Sequence, residues 1–237
     1  MSDVVLEIRS VTKDYRGLRP LRIEHLELRE GQTLALAGFD QAAAEVFVNL
    51  ATGATVPDSG EVRVFGESTA AITDADAWLA SLDRFGILSE RAVLLDGLDA
   101  LQNLAMPFTL EVDRLTDALR AKARGLAHEV GMETDDLGRP VGDLTPPARV
   151  RVRLGRALAL RPRVLIAEHP NASLSPADLP AFATDFAGVV AARGIAALTL
   201  TADRTFAAAV AEQVLTLQPA TGELKSAAGW RRWFAGR

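Results

Sequence analysis

Cysteine is absent from the 237 residues, which excludes disulfides and thiolate metal sites and accords with a reducing compartment. Positive charge is also short: 26 Lys and Arg face 31 Asp and Glu, and the net charge of −5 gives no basic footprint for nucleic acid. No window reaches membrane-span length without a charge. The most apolar stretch, 188–202, is broken by Arg193. The opening Met1-Ser2-Asp3-Val4-Val5-Leu6-Glu7 lacks the basic segment and long apolar run of a secretory signal. Internal repeats and low-complexity tracts are missing, and Tyr15 is the one tyrosine. These absences predict a soluble, cytoplasmic protein. What is there is ordinary for a globular chain, 49% hydrophobic and 24% charged, and long enough for one large domain or a domain with a smaller lobe.

The segment from Arg161 to Asp178 organises the rest. Val164 to Ala167 is a short apolar run of the kind buried on both faces of a parallel sheet, and it ends abruptly in Glu168, His169 and Pro170. Polar groups at the carboxyl end of such a strand are where α/β folds keep their chemistry. Upstream, Val4–Ile8 and Leu21–Leu28 alternate as antiparallel strands do, and Thr33–Ala37 reads as a buried strand ending in Gly38. A helix through Val46, Phe47 and Leu50 follows, then a turn at Pro57-Asp58-Ser59-Gly60 and a strand over Glu61–Phe65. A helix is expected over Ala70–Leu82 and a buried strand over Phe85–Leu88. Leu98–Val130 has helical periodicity and no strand signal, which predicts a separate helical lobe, with Glu133–Gly142 returning the chain to the main body. Val150–Leu160 is expected to be helical, with Arg149, Arg151, Arg153 and Arg156 on a solvated face, a partner contact being the alternative. Helices over Leu179–Arg193 and Thr205–Gln213 then alternate with strands Ala196–Thr201 and Val214–Leu217. Strands alternating with helices after an antiparallel start indicate an α/β fold with a mostly parallel sheet and an added β layer.

Three blocks in this order resemble one family. They are Pro57-Asp58-Ser59-Gly60-Glu61-Val62, Asn103-Leu104-Ala105-Met106-Pro107, and Gly155-Arg156-Ala157-Leu158-Ala159-Leu160-Arg161-Pro162 running into the strand. The chain is similar over nearly its whole length to the ATP-binding subunits of ABC transporters. The resemblance implies a P-loop NTPase-like cassette spanning 1–237, with a helical lobe at roughly 90–150 inserted in the α/β core.

The positions that carry chemistry in that family read differently here. A phosphate loop, G-x-x-x-x-G-K-[ST], uses small residues to turn backbone N–H groups toward phosphates, a Lys to neutralise charge and a hydroxyl to hold Mg²⁺. The corresponding residues are Gly38-Phe39-Asp40-Gln41-Ala42-Ala43-Ala44-Glu45, with Ala44 at the Lys position and Glu45 at the hydroxyl position. A like charge at about 4 Å costs roughly 4 kcal/mol at an effective dielectric of 20, more than a helix N-terminus offers an anion. A triphosphate is therefore expected to meet repulsion. By the same resemblance, Glu168 stands for the Mg²⁺-organising Asp and His169 for the Glu that polarises water. Glu90 stands for the Mg²⁺-sensing Gln, Ala202 for the switch His and Ser175 for the D-loop Asp. The signature L-S-G-G-Q becomes Leu144-Thr145-Pro146-Pro147-Ala148, and proline has no N–H to give a γ-phosphate. Cassettes of this family pair head to tail, so altered loop and signature together affect both composite sites.

The expectation is thus a cassette subunit that no longer hydrolyses ATP and acts structurally or regulatorily on a membrane permease at the cytoplasmic face of the inner membrane. An intact ABC ATPase paralogue or a second copy is a possible companion; nucleic acid is not. No cofactor is expected, ATP and Mg²⁺ entering only if the chain is a working ATPase with rearranged chemistry at Glu168 and His169. A soluble interaction module is the remaining alternative. Tyr15 stands where the family stacks an aromatic on adenine, or is simply packed. Asp40, Glu45, Glu90 and Glu168 either converge as a hard-cation site or pair with arginines, the second being expected, so that no metal site is assigned. His25 and His128 are read as ordinary packed or solvated side chains. The tail Gly229–Arg237, with two Trp beside three Arg, suits a membrane interface, a subunit contact or packing on the body.

Overall fold

The computed structural model describes residues 3–226, and the Trp- and Arg-rich tail lies outside them. Strands β1 (Val4–Lys13) and β2 (Leu21–Arg29) pair antiparallel, with Leu6 opposite Leu28, Ile8 opposite Leu26 and Val11 opposite Ile23. One face of this ribbon is therefore apolar and buried. It forms a four-stranded sheet in the order β2-β1-β4-β5 once β4 (Ser59–Val64) and β5 (Glu67–Ser68) join it. Gly60 permits the β1–β4 approach: a Cβ there would lie 2.3 Å from the Ser10 carbonyl oxygen.

The second sheet has six strands in the order β10-β9-β3-β8-β7-β6. These are β3 (Thr33–Ala37), β6 (Phe85–Leu88), β7 (Val164–Glu168), β8 (Ala196–Leu200), β9 (Gln213–Leu217) and β10 (Leu224–Ser226). All neighbours are parallel except β10 and β9. Every residue of β7 and β8 is buried, which explains why Val164–Ala167 reads as an unbroken apolar run rather than as an alternating one. The antiparallel layer and helix α1 (Gln41–Ala51) share one core with a face of this sheet, through Ile8, Phe47, Leu50 and Ile166. Helices α6 (Leu179–Arg193) and α7 (Arg204–Val210) cover the opposite face with Phe182, Phe186 and Phe206. The expected α/β class, with a mostly parallel sheet and an antiparallel layer, is what is found.

Several boundaries differ from expectation. The segment at 70–82 is a short 3-10 turn, Thr69–Ala71, followed by α2 (Ala75–Leu82), because Asp74 caps the helix by accepting the Ala77 N–H. Helix α7 stops at Val210, and Gln213 already belongs to β9. The lobe is not one periodic segment. It holds α3 (Ala100–Ala105), α4 (Asp117–Glu129) and α5 (Pro146–Leu158). Pro107, two residues beyond the last residue of α3, cannot continue a helix. Nor does 133–142 leave the lobe, since Val141 is buried among Leu101, Leu104, Leu126 and Val152, and its N–H donates to the Leu98 carbonyl. Gly155 allows α5 to approach α3, for a Cβ at that position would lie 2.5 Å from Leu104 Cδ2.

Candidate functional site

Strand β3 ends in a turn at Gly38, whose φ of +89° is a conformation that L side chains rarely adopt. Phe39 is buried edge-on against Phe47, ring centroids 5.7 Å apart, which fixes the turn to the helix it precedes. Asp40 caps α1: its carboxylate accepts the Ala43 N–H at 2.8 Å, while its carbonyl accepts the Ala44 N–H. The helix N-terminus thus already holds an anion supplied by the chain itself. Ala44 is buried in the core, and Glu45 projects into a half-exposed position.

Glu168, the last residue of β7, is wholly buried, and both of its carboxylate oxygens are engaged. Oε1 accepts from Gln41 Nε2 at 2.6 Å, and Oε2 accepts from Arg91 Nη2 at 2.7 Å and Nε at 3.1 Å. The same guanidinium pairs through Nη1 with Glu45 Oε1 at 3.2 Å. Arg91 therefore bridges the two acids that flank the turn. A buried carboxylate is tolerable when a cation and a neutral donor both satisfy it, as here. The expected repulsion at Glu45 is accordingly offset from within the chain.

Neither Arg91 nor Gln41 is singled out by the sequence reading, which aligned the neighbouring Glu90 with a functional position. Glu90 is exposed, and its field acts on Arg153. The four acids do not converge: Asp40 caps α1, Glu45 and Glu168 share Arg91, and Glu90 lies outside. Among the described residues, no group of three or more acidic or histidine side chains is placed to hold a metal ion. The signal for Arg91 was a compositional one, a loop that loses a Lys and gains a Glu opposite another Glu and so needs a cation nearby.

His169 follows with a φ of +45°, its N–H donating to the Leu200 carbonyl at 2.9 Å. Its Nε2 is buried and has no hydrogen-bond partner among the described residues. Ala202 is exposed and offers only a methyl group; the adjoining Asp203 caps α7. Ser175 Oγ donates to Asp178 at 2.6 Å.

Tyr15 packs on the core, and Gly17 lies so close to its ring that a Cβ would be 2.6 Å from Tyr15 Cε2. Burial pushes the phenol above its ordinary value, and the Asp40 carboxylate adds to this. Tyr15 is thus beside the Gly38 turn, with part of its ring taken by its own loop.

At the lobe, Leu144 is buried and Thr145 is the N-cap of α5. Pro146 and Pro147 occupy the first helical positions, which suits their fixed φ. They carry no N–H, and the next one, on Ala148, faces the Thr145 hydroxyl at 3.5 Å. This helix start presents no unclaimed backbone donor in its first three residues. The arginines of α5 are not a solvated face as expected. Arg149 pairs with Asp96, Arg153 and Arg156 donate to the carbonyls of Ala92 and Val93, and Arg151 holds Asp185 of α6. Burial pushes the Arg153 and Arg156 guanidiniums below their ordinary value. Positions 149, 153 and 156 recur on one helix face, so they grip the 89–96 loop together.

The strand order, the Gly38 turn into α1 and the inserted lobe define an ATP-binding-cassette fold. The chain is 30% identical over 227 residues to the lipoprotein-releasing system ATP-binding protein LolD of Myxococcus xanthus, covering 94% of this chain and 99% of that protein. With LolD of Maricaulis maris it shares 30% over 220 residues, 91% of this chain and 95% of that one. Ribose import ATP-binding protein RbsA 2 of Burkholderia ambifaria is also 30% identical, over 179 residues, and the matched part is 35% of its length. The chain thus spans about a third of the RbsA-type relative and nearly all of the LolD-type ones. The chain belongs to the ABC transporter ATP-binding family. No protein-family model matches it. In fold it superposes on the dimeric bacterial ABC transporter cassette MJ0796 with a TM-score of 0.76 at 21% identity, covering 93% of this chain and 96% of that one. For CbiO1 of Clostridium perfringens the TM-score is 0.79 at 16% identity, over 99% and 92% of the two chains.

Proposed function

We propose that this chain is a cassette subunit whose nucleotide site is held closed by its own side chains, and that it supports or regulates a membrane permease of an ABC transporter without hydrolysing ATP. The observation that carries this reading is the Arg91 guanidinium between Glu45 and Glu168. In the family's pattern those two positions face the metal, so a fixed protein cation stands in for a mobile one. The proline-led start of α5 supports the same reading from the other half of a head-to-tail pair. Among the described residues no helix is long and apolar enough to cross a membrane. Contact with a bilayer then comes through a partner, with the chain peripheral to the cytoplasmic face of the inner membrane. An intact paralogue or a second copy completes the assembly.

A working ATPase using Glu168 and His169 is less well supported, because both oxygens of Glu168 are already engaged and His169 Nε2 is buried. Mg-ATP titration and turnover of the purified chain separate the two. Absence of saturable micromolar binding is expected; turnover abolished by His169→Ala would overturn the proposal. Co-purification from membranes addresses the subunit role, and failure to recover any permease would favour a soluble interaction module. Restoring the loop with Ala44→Lys and Glu45→Ser should raise nucleotide affinity little, since Arg91 still holds Glu168. Adding Arg91→Gln should then raise it by about tenfold or more.

A further inference from the structure

Away from the Gly38 turn, the outer side of the lobe carries a cleft of about 530 Å³ that no part of the proposed function uses. One wall is α4, which presents Arg120, Arg124 and His128. At a spacing of four residues these lie one above another on a single helix face, spanning roughly 12 Å at 1.5 Å per residue. The facing wall is the turn that holds Thr134, Leu137 and Gly138. A Cβ at Gly138 would meet nothing within 4 Å, so the mouth is open there. Asp99 also lines the cleft, but its carboxylate is committed to the Gln102 N–H at the start of α3.

Two nearby cations are engaged: Lys122 lies over the Phe108 ring, and Arg193 makes a two-pronged pair with Glu129. The side chains of Arg120, Arg124 and His128 form no hydrogen bond or ion pair among the described residues. In a chain with an excess of acids, two such guanidiniums aimed into one concave space are a standing demand for an anion.

We infer that this cleft binds a compact phosphoryl-bearing anion, held by the Arg120 and Arg124 forks with His128 and the Thr134 hydroxyl as further partners. Guanidinium matches phosphate geometry by two parallel N–H···O bonds. The run of cations is longer than one carboxylate can engage, and the volume falls in the range of about 300–1,000 Å³ typical of small-molecule sites. The phosphoryl group can come from a soluble phosphate compound or from a lipid headgroup.

Calorimetric titration of the full chain with inorganic pyrophosphate at low salt tests the soluble source. Sedimentation with phosphatidylcholine vesicles, with and without phosphatidic acid, tests the lipid source. Binding in either arm is expected to fall by about tenfold or more in the Arg120→Gln/Arg124→Gln variant, with the unfolding midpoint unchanged. Amide resonances that move should lie within 120–138. No binding in both arms, binding that persists in the double variant, or resonance shifts centred on 38–45 would overturn the inference.

Discussion

Helices α1 and α5 begin at the two places where the resemblance puts the family's phosphate loop and signature, and on the proposed reading the chain closes them by different physical means. At α1 the closure is ionic. A carboxylate caps the helix, and a guanidinium bridges the acid beside it to the buried acid at the end of β7. At α5 the closure is in the backbone, where two prolines remove donors and a hydroxyl faces the next one at 3.5 Å. The first is built from charges that side-chain substitution can release. The second can be undone only by replacing the prolines themselves. The contrast teaches that both helix starts can stay satisfied internally while their residues depart from the family's phosphate-binding pattern.

The largest test of this contrast falls on the ionic side. Glu168 has no exposed side-chain surface, whereas Arg91 is 38% exposed. Removing the cation strands a buried carboxylate, so Arg91→Met should cost about 3 kcal/mol, the low end for a broken buried pair. Adding Glu168→Gln should recover much of that, because the amide needs no counter-charge. Urea unfolding of the four proteins in this cycle gives both numbers. A loss below about 1 kcal/mol for Arg91→Met would mean that water screens the pair as it does at a surface.

A smaller test compares the two caps. Asp40→Ala removes a 2.8 Å charge-assisted bond and should cost about 1 kcal/mol. Thr145→Ala removes a contact at the outer limit of hydrogen bonding and should cost only a few tenths, about 0.3 kcal/mol. Equal costs would show that the two starts are held alike, and the distinction between ionic and backbone closure would fail.

Much of the frame was legible because burial leaves a periodic trace. The unbroken run at the start of β7 and the alternation of β1 and β2 predicted their sheets correctly. The site was legible only as a set of substitutions. Ala44 and Glu45 mark where charge departs from the family's pattern and Glu168 where an acid is kept, but the compensating Arg91 sits in a loop where no period constrains it, one residue beyond Glu90. Gln41 carries no sequence signal, because an amide on a helix's first turn has no distinctive pattern until its partner is known. The α5 arginines erred the other way. Their spacing was visible, but amphipathic helices commonly put Arg in solvent, and only the fold reveals the carbonyls of Ala92 and Val93 opposite them.

The finest probe of the ionic side uses the single tyrosine. Tyr15 is held above the ordinary phenol value first by burial and then by Asp40, the residue that caps α1. A folded-state value above the unfolded one means that both states are protonated below about pH 10 and the stabilising contribution is fully present there. As pH rises further, the unfolded chain gives up its proton first. Stability is then lost progressively until the folded value is passed, and Tyr15→Phe should flatten that alkaline limb. Because no other tyrosine is present, the phenolate absorbance of the native protein reports Tyr15 directly. Asp40→Asn should lower its midpoint without returning it to the ordinary value, since desolvation, the larger cause, remains. A Thr145→Val change at the start of α5 should leave the midpoint where it is. If Asp40→Asn also leaves it there, the α1 start does not carry the anionic field on which its difference from α5 rests.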